Sequence, residues 1–375
     1  MTQGVRNYHH MARQGLEALL AALTRRGYAI IGPVVRDGAI VLDQVEASAD
    51  LPIGWTDDQD AGSYELRRRD DDACFGHVVG PHSFKRFQLP AELRVFSARR
   101  GADGTLTVES ENQPPRRLAF LGARSCDLHA MGILGAVLGS GPAPDPRRDE
   151  TFIVAVQCGE AGGTCFCSSM GTGPRAQSGF DIALTEVIDT DGHWFAVETG
   201  SPAGAEVLAE LPVRPASDAE AAAAAGAPER AAAEMGRTMP TDDLPGLLMR
   251  NLEHPRWEAV AERCLSCASC TMACPTCFCV EVADTGDAAG STAERTQRWA
   301  SCFTVDHAYL SGGSVRPTTR SRYRQWMTHK LSTWWEQFDS SGCVGCGRCI
   351  TWCPAAIDIT EEVAAIRATD GEIAR

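Results

Sequence analysis

The sequence predicts an α+β protein. A mixed α/β N-terminal domain containing a β-α-β unit spans residues 1–255, and a mainly helical, cysteine-rich domain spans residues 256–375. Three observations predict this. Between residues 118 and 157, two apolar strand-type runs flank a helical run. The cysteines are unevenly placed, with five of the 16 before residue 256 and eleven after it. A chain of 375 residues also has room for two to three domains at ~150 residues each.

The first element is a helix within residues 11–26. Leu16, Leu19, Leu20 and Leu23 fall at helical spacing, and Gly27 supplies the stop. Short β-type runs follow at Tyr28–Val35, Ala39–Leu42, Leu93–Phe96 and Thr105–Val108, punctuated by Gly, Pro and Asp. The charged segment Asp57–Asp72 reads as a loop. Leu118–Gly122 reads as a buried strand, Asp127–Leu138 as a helix and Thr151–Gln157 as a second strand. A β-α-β unit of this kind makes its two strands parallel neighbours. Residues 203–234 are Ala-rich and of low complexity. They read as surface helices broken at Pro228, and no role follows from their composition.

Composition narrows the function. The net charge of −14 argues against a nucleic-acid backbone as main partner. The longest apolar stretch, Ala130–Gly139, is too short to span a bilayer. The N-terminus lacks the apolar core of a secretory signal, so a cytoplasmic location is expected. A chain this long buries a core without disulfides. Dense cysteines in a reducing compartment therefore point to metal or redox chemistry.

The spacing of the C-terminal cysteines is specific. Cys264, Cys267, Cys270 and Cys274-Pro275 form one C-x2-C-x2-C-x3-C-P run, and Cys343, Cys346, Cys349 and Cys353-Pro354 form a second. Both match the bacterial 4Fe–4S pattern, in which the fourth cysteine of each run ligates the other cluster. This assigns cluster A to Cys264, Cys267, Cys270 and Cys353, and cluster B to Cys343, Cys346, Cys349 and Cys274. Gly342, Gly345 and Gly347 let the second loop approach its cluster closely. Zinc knots also use C-x2-C pairs, but these runs space their thiolates too tightly for two tetrahedral sites. The long insert between the runs contains Ala293–Leu310 and Ser321–Phe338, both read as helical. The basic segment Arg316–Lys330 is either a charge-balancing helix face or a docking surface with a positive field near the clusters.

A second set of cysteines is read from topology. Cys126 and Cys158 follow the two strands of the β-α-β unit. Both therefore sit at the carboxyl edge, where open α/β sheets place their sites. Cys165 and Cys167 follow on a Gly-rich loop. These four are buried small side chains, or ligands of a third iron–sulfur cluster, or a zinc or reactive-thiol site. Asp127 reads as a helix cap rather than an oxygen ligand. Cys277, Cys279 and Cys302 read as packing around the clusters, with extra ligation as the alternative, and Cys74 as structural. The histidines show no paired-ligand spacing. No dinucleotide fingerprint, P-loop or haem-attachment motif is present. No separate C-x2-C pair is left over for a nickel–iron centre. The reading is a one-electron carrier that needs a partner at each end, with no catalytic residue of its own.

Together, GARSCDLHAMGIL (122–134), GGTCFCSSMGTGP (162–174), CLSCASCTMACPTCFC (264–279), RWASC (298–302) and GCVGCGRCITWCP (342–354) resemble one family. It is the beta subunit of cytoplasmic NADP-linked nickel–iron hydrogenases, or sulfhydrogenases. The resemblance runs from about residue 20 to 365, with gaps in the N-terminal third and the Ala-rich segment. It implies an electron-transfer subunit of an oxidoreductase complex. Its partners would be the hydrogenase large and small subunits and a flavin subunit that binds NAD(P). The A-subunit family of anaerobic sulfite reductases is similar in organisation, and SSMGTGP favours the hydrogenase. Iron–sulfur clusters also serve as structural staples in nucleic-acid enzymes. Adjacent ferredoxin-type runs on an acidic chain disfavour that role here.

Overall fold

The computed structural model describes residues 7–110, 116–139, 151–190 and 192–371. Strand β1 (His9–Ala12) leads into helix α1 (Gly15–Arg25), whose Leu16, Leu19, Leu20 and Leu23 are buried as their spacing predicts. Strands β2 (Ala29–Arg36) and β3 (Ala39–Gln44) follow, then β4 (Trp55–Asp60) and β5 (Ser63–Arg68). Next come the short helix α2 (Lys85–Gln88), β6 (Glu92–Arg100), β7 (Leu106–Ser110), β8 (Leu118–Ala123), helix α3 (Ser125–Leu138) and β9 (Thr151–Val156). Strands β10 (Ile182–Asp189), β11 (Gly192–Thr199) and β12 (Val213–Pro215) complete the N-terminal part.

The main sheet has eight strands in the order β12-β1-β11-β10-β9-β8-β2-β3. Its centre, β10-β9-β8-β2, is parallel. Strands β8 and β9 are parallel neighbours joined through α3, as the β-α-β reading expects. Both faces of these strands are covered, so their apolar residues divide by alternation. Leu121 and Val154 pack with α1 on one side, while Phe120 and Ala155 pack with Leu128 and Met131 of α3 on the other. Gly122, at φ +86°, sits where the β8–β9 register shifts. The irregularity lies just before Arg124, Ser125 and Cys126.

Several elements depart from the sequence expectation. Asp57–Asp72, expected as a loop, holds the β4–β5 hairpin. Its polar residues still alternate, with Asp57 and Gln59 buried and Asp58 and Asp60 exposed. Ala293–Leu310, expected as helical, is not. Instead, strand β13 (Val280–Gly286) pairs with β14 (Thr292–Trp299), and β14 pairs with β6. The four-stranded sheet β13-β14-β6-β7 thus takes strands from both sides of residue 255. Tertiary pairing overrides the helical preference of its Ala, Glu, Arg and Gln. Pro228 does not break its helix, which runs Asp218–Ala233. Pro228 lies on the buried face with Ala224, Ala227 and Ala231, where a ring packs well.

Ser321–Phe338 is helical as expected. An α-helix over Thr319–Thr328 passes through a π turn, His329–Thr333, into a last turn at Trp334–Phe338. Its buried stripe of Tyr323, Trp326, Met327 and Leu331 packs against Trp257, Ile350, Val363 and Ile366. Phe166, Leu244 and Leu247 join this core from the N-terminal side.

Candidate functional site

The first cysteine run leaves the helix Arg256–Arg263 and turns through Ser266 (φ +52°) and Ala268 (φ +68°) into the short helix Ser269–Ala273. Cys264, Cys267 and Cys270 line one pocket of about 450 Å³, and Cys353 of the second run lines the same pocket. Its remaining wall is apolar, with Phe303, Trp326, Ile357 and Ile359. Burial pushes the Cys270 thiol well up, and the nearby charges of Cys353 and Cys264 add to it. Cys349 also reaches this pocket, so it stands between the two groups.

Cys274 faces the second run. Burial pushes Cys349 well up, followed by the charges of Cys343, Cys274 and Cys346. Cys343 is pushed up to about 12, chiefly by burial. Cys274 is the exception and is held well below the usual thiol range. The hydrogen bond from Cys277 outweighs its burial, and Lys330 and Lys85 add positive charge. Lys330 Nζ donates to Cys274 Sγ at 3.2 Å, Thr276 Oγ1 at 3.0 Å and the Gly342 carbonyl at 3.1 Å. Burial opposes the Lys330 charge, but the charges of Cys274, Cys277 and Cys343 prevail and raise it.

These donor sets suit iron–sulfur clusters. They are all sulfur, set among apolar side chains, and drawn crosswise from two runs. Among the described residues, no three of these cysteines bring their sulfurs within 4.8 Å of one another. A Zn–S bond of about 2.3 Å would place tetrahedral sulfurs roughly 3.8 Å apart. The sets are not gathered as one zinc ion would need.

The second run is clamped to the N-terminal sheet. Gly345 (φ +64°) and Gly347 (φ +76°) lie against the loop carrying Cys165 and Cys167. A Cβ at Gly347 would come within 2.5 Å of the Thr164 carbonyl oxygen, and one at Gly345 within 2.7 Å of the Cys167 backbone. Protein backbone presses on these two glycines. Arg348 and Asp127 form a buried pair at 2.9 Å, and Arg348 Nε also donates to the Gly80 carbonyl at 3.0 Å. The other Asp127 oxygen accepts from the Arg124 amide at 3.1 Å, so Asp127, the third residue of α3, closes a capping box onto Arg124, which itself stands at the cap position.

The topology-based set is brought together in part. Cys165 is pushed up to about 12 by burial and then by Cys158, and Cys167 is raised by burial, Cys158 and Cys165. Cys126 packs with Cys167 of this set and with Val344 and Cys346 of the second run. Its place at a helix N-terminus is expected to favour a thiolate. Burial, followed by Asp127 and Cys346, instead pushes its thiol well up. A bound cation would reverse that sense.

Two site features escape a reading of the sequence. Lys330 reads as part of a basic helix face, but it is buried against Cys274. Its place on the Tyr323, Trp326, Met327, Leu331 stripe is the signal that could have found it. Lys85, also buried, reaches the Cys277 carbonyl at 3.1 Å, and no local pattern marks it. Of the rest of the basic segment, Arg320 and Arg324 both bond Glu253, and Arg322 bonds the Arg316 and Pro317 carbonyls. Cys74 is buried beside Glu186 and His193. The Glu186 carboxylate accepts from the Cys74 and Phe75 amides, and His193 Nε2 lies 2.8 Å from the same carboxylate.

Comparison with known proteins agrees with this geometry. Residues 263–357 match the family model of the 4Fe-4S dicluster domain. The chain is also 35% identical to sulfhydrogenase 2 subunit beta of Pyrococcus furiosus over 257 residues, covering 64% of this chain and 72% of that relative. This chain belongs to the sulfhydrogenase beta-subunit family. It is an iron–sulfur electron-transfer protein of a hydrogenase-type oxidoreductase, with an α+β fold and a C-terminal dicluster domain. No solved structure matches the chain significantly. Among the described residues of this family member, no helix is long and apolar enough to cross a membrane.

Proposed function

We propose that this chain is the non-catalytic subunit that passes single electrons between a nickel–iron hydrogenase pair and a flavin subunit binding NAD(P), in a cytoplasmic complex. In this reading Cys264, Cys267, Cys270 and Cys353 hold one 4Fe–4S cluster, and Cys274, Cys343, Cys346 and Cys349 hold the other. Cys126, Cys158, Cys165 and Cys167 are a candidate third site. The observation that carries the reading is the crosswise grouping of the runs: Cys353 shares a pocket with Cys264, Cys267 and Cys270, while Cys274 faces Cys343, Cys346 and Cys349.

When bound, such clusters supply one-electron transfer and no substrate chemistry. The protein residues do the rest. The apolar wall of Phe303, Trp326 and Ile359 backs the first set on its inner side, while Cys267 stands at the surface. Lys330 holds a fixed positive charge against Cys274. The Arg348–Asp127 pair fixes the second run to the sheet that carries Cys126. The similarity to a sulfhydrogenase beta subunit supports the hydrogenase assembly over the sulfite reductase alternative.

The test is anaerobic purification of the tagged chain from its own cells. The expected result is co-purification with nickel–iron and flavin subunits, together with reversible one-electron titration of the chain's iron–sulfur signals. Hydrogen uptake or NAD(P)H oxidation by the isolated chain would overturn the relay reading.

A further inference from the structure

The cysteines read as packing, Cys277, Cys279 and Cys302, do not lie scattered around the two runs. All three line one pocket of about 370 Å³, and the imidazole of His329 lines it too. The pocket of the first run, also open to solvent on one side, is about 450 Å³, so the two spaces are of similar size. We propose that Cys277, Cys279, Cys302 and His329 form a further iron–sulfur cluster site.

The backbone builds this set from three separate segments. Cys277 and Cys279 follow the first run on an extended stretch that enters β13. Cys302 lies just beyond β14, and the Ala300 amide donates to the Cys279 carbonyl at 2.9 Å, tying the two strand ends together. His329 opens the π turn at His329–Thr333. Such one-turn widenings are often found at functional sites, because they re-aim side chains that an α-helix would stack elsewhere. Here consecutive residues face two sulfur groups. Lys330 bonds Cys274, and His329 lines the new pocket.

The spread of the ligands decides the kind of occupant. Among the described residues, no three of these four place their ligand atoms within 4.8 Å of one another. That is too open for a single tetrahedral ion and suits a polynuclear one. Three thiolates with one imidazole is a soft donor set of the kind iron–sulfur clusters use, as histidine ligation in Rieske centres illustrates.

Charge gives an independent indication. Lys85 is 3% exposed, and its ammonium bonds only the carbonyls of Thr271, Met272 and Cys277, at 3.4, 3.3 and 3.1 Å. It also sits over the Trp299 ring at 4.1 Å. Among the described residues, no carboxylate pairs with it. A buried cation without a counter-charge is costly; Cys274 of the second set supplies part of one, and an anionic occupant beside Cys277 and Cys279 would add to it. The pocket also adjoins both ferredoxin-type sets. Trp326 lines this pocket and that of the first run, and the charge of Cys302 acts on Cys270.

The test is an anomalous-scattering map at the iron edge on crystals of the full chain, purified anaerobically and reconstituted with ferrous iron and sulfide. Iron density of cluster size bounded by Cys277, Cys279 and Cys302 is expected. A pocket without metal while the two runs are filled would overturn the proposal, and so would a single iron or zinc ion there. In solution, Cys279→Ser combined with Cys302→Ser should lower the iron count by about four atoms per chain and leave the two ferredoxin-type signals intact. An unchanged count would refute the site. His329→Cys should keep the iron count but move the g values and lower the potential of one cluster, since imidazole ligation raises it. If the double variant does not fold, the map of the unmodified chain decides.

Discussion

Replacing Lys330 by methionine removes a buried positive charge and keeps the length of the side chain. The ammonium lies 3.2 Å from Cys274 Sγ, so the centre of a cluster held by that sulfur would be roughly 6 Å away. At an effective dielectric of about 20, a unit charge at that distance is worth roughly 2.8 kcal/mol. A tenfold change in equilibrium corresponds to about 59 mV for a one-electron couple and 1.4 kcal/mol. The substitution should therefore lower the potential of the Cys274 cluster by about 120 mV, because a nearby cation favours the more negative, reduced state. The assay is potentiometric titration followed by electron paramagnetic resonance, with iron counts matched to the unmodified chain. The cluster of Cys264, Cys267, Cys270 and Cys353 serves as internal reference and should move less. Lys330→Arg keeps the charge and should shift the potential much less. An unchanged or raised potential in Lys330→Met with full iron content would refute the electrostatic argument.

Cys274→Ser should perturb the resonance signal of the cluster bound by Cys343, Cys346 and Cys349 and spare the other. The opposite pattern would refute the crossed assignment. Asp127→Ala leaves the buried Arg348 without its partner and should cost about 3–5 kcal/mol, read as a large fall in unfolding midpoint. Gly347→Ala puts a side chain at φ +76° against Thr164. It should loosen residues 164–172, measured by hydrogen exchange and by faster alkylation of Cys165 and Cys167. His77 is buried, and its pKa lies well below the usual histidine value because of burial and then Arg124 and Arg69. Unfolding therefore takes up a proton below about pH 6.5, and stability falls there with a contribution of about 1.4 kcal/mol per pH unit. His77→Gln should flatten that part of the pH dependence of the unfolding midpoint, and an unchanged slope would contradict the burial argument.

What the sequence revealed depended on how local each signal was. The two cysteine runs were readable because ligand spacing is a local property, and the β-α-β unit because its apolar runs are continuous. Strand β14 reads as a helix because its residues favour one in isolation, and its pairing with β13 and with β6, far away in sequence, makes it a strand. The β4–β5 hairpin hid behind charge, since Asp57 and Gln59 are buried polar residues satisfied by Val78 and Val79 backbone groups. Lys85 could not be read at all. Its partners are backbone carbonyls of a segment almost two hundred residues later.

The same contrast explains how the molecule is assembled. The second cysteine run has polar contacts on several sides, and nearly all of them are tertiary. Thr351 bonds Gln59 and Thr164, Arg348 bonds Asp127 and Gly80, and Gly345 receives the Phe166 amide. The first run is held mainly by its own turns and by the helical stripe of Tyr323 and Trp326. A cysteine frame fixed to the sheet on one side and to a helix on the other cannot shift without disturbing both. That rigidity matters for one-electron transfer, which needs fixed distances and little reorganisation on change of charge. It also gives the Cys126, Cys158, Cys165 and Cys167 group a defined place against Cys346, where Cys165 Sγ lies 4.0 Å from the Cys346 carbonyl. The Cys277, Cys279 and Cys302 pocket stands by the first run, across Trp326. The cysteines thus form adjacent groups from the carboxyl edge of the parallel sheet to the π turn, where Lys330 bonds Cys274 of the second set and Trp326 borders the pocket of the first.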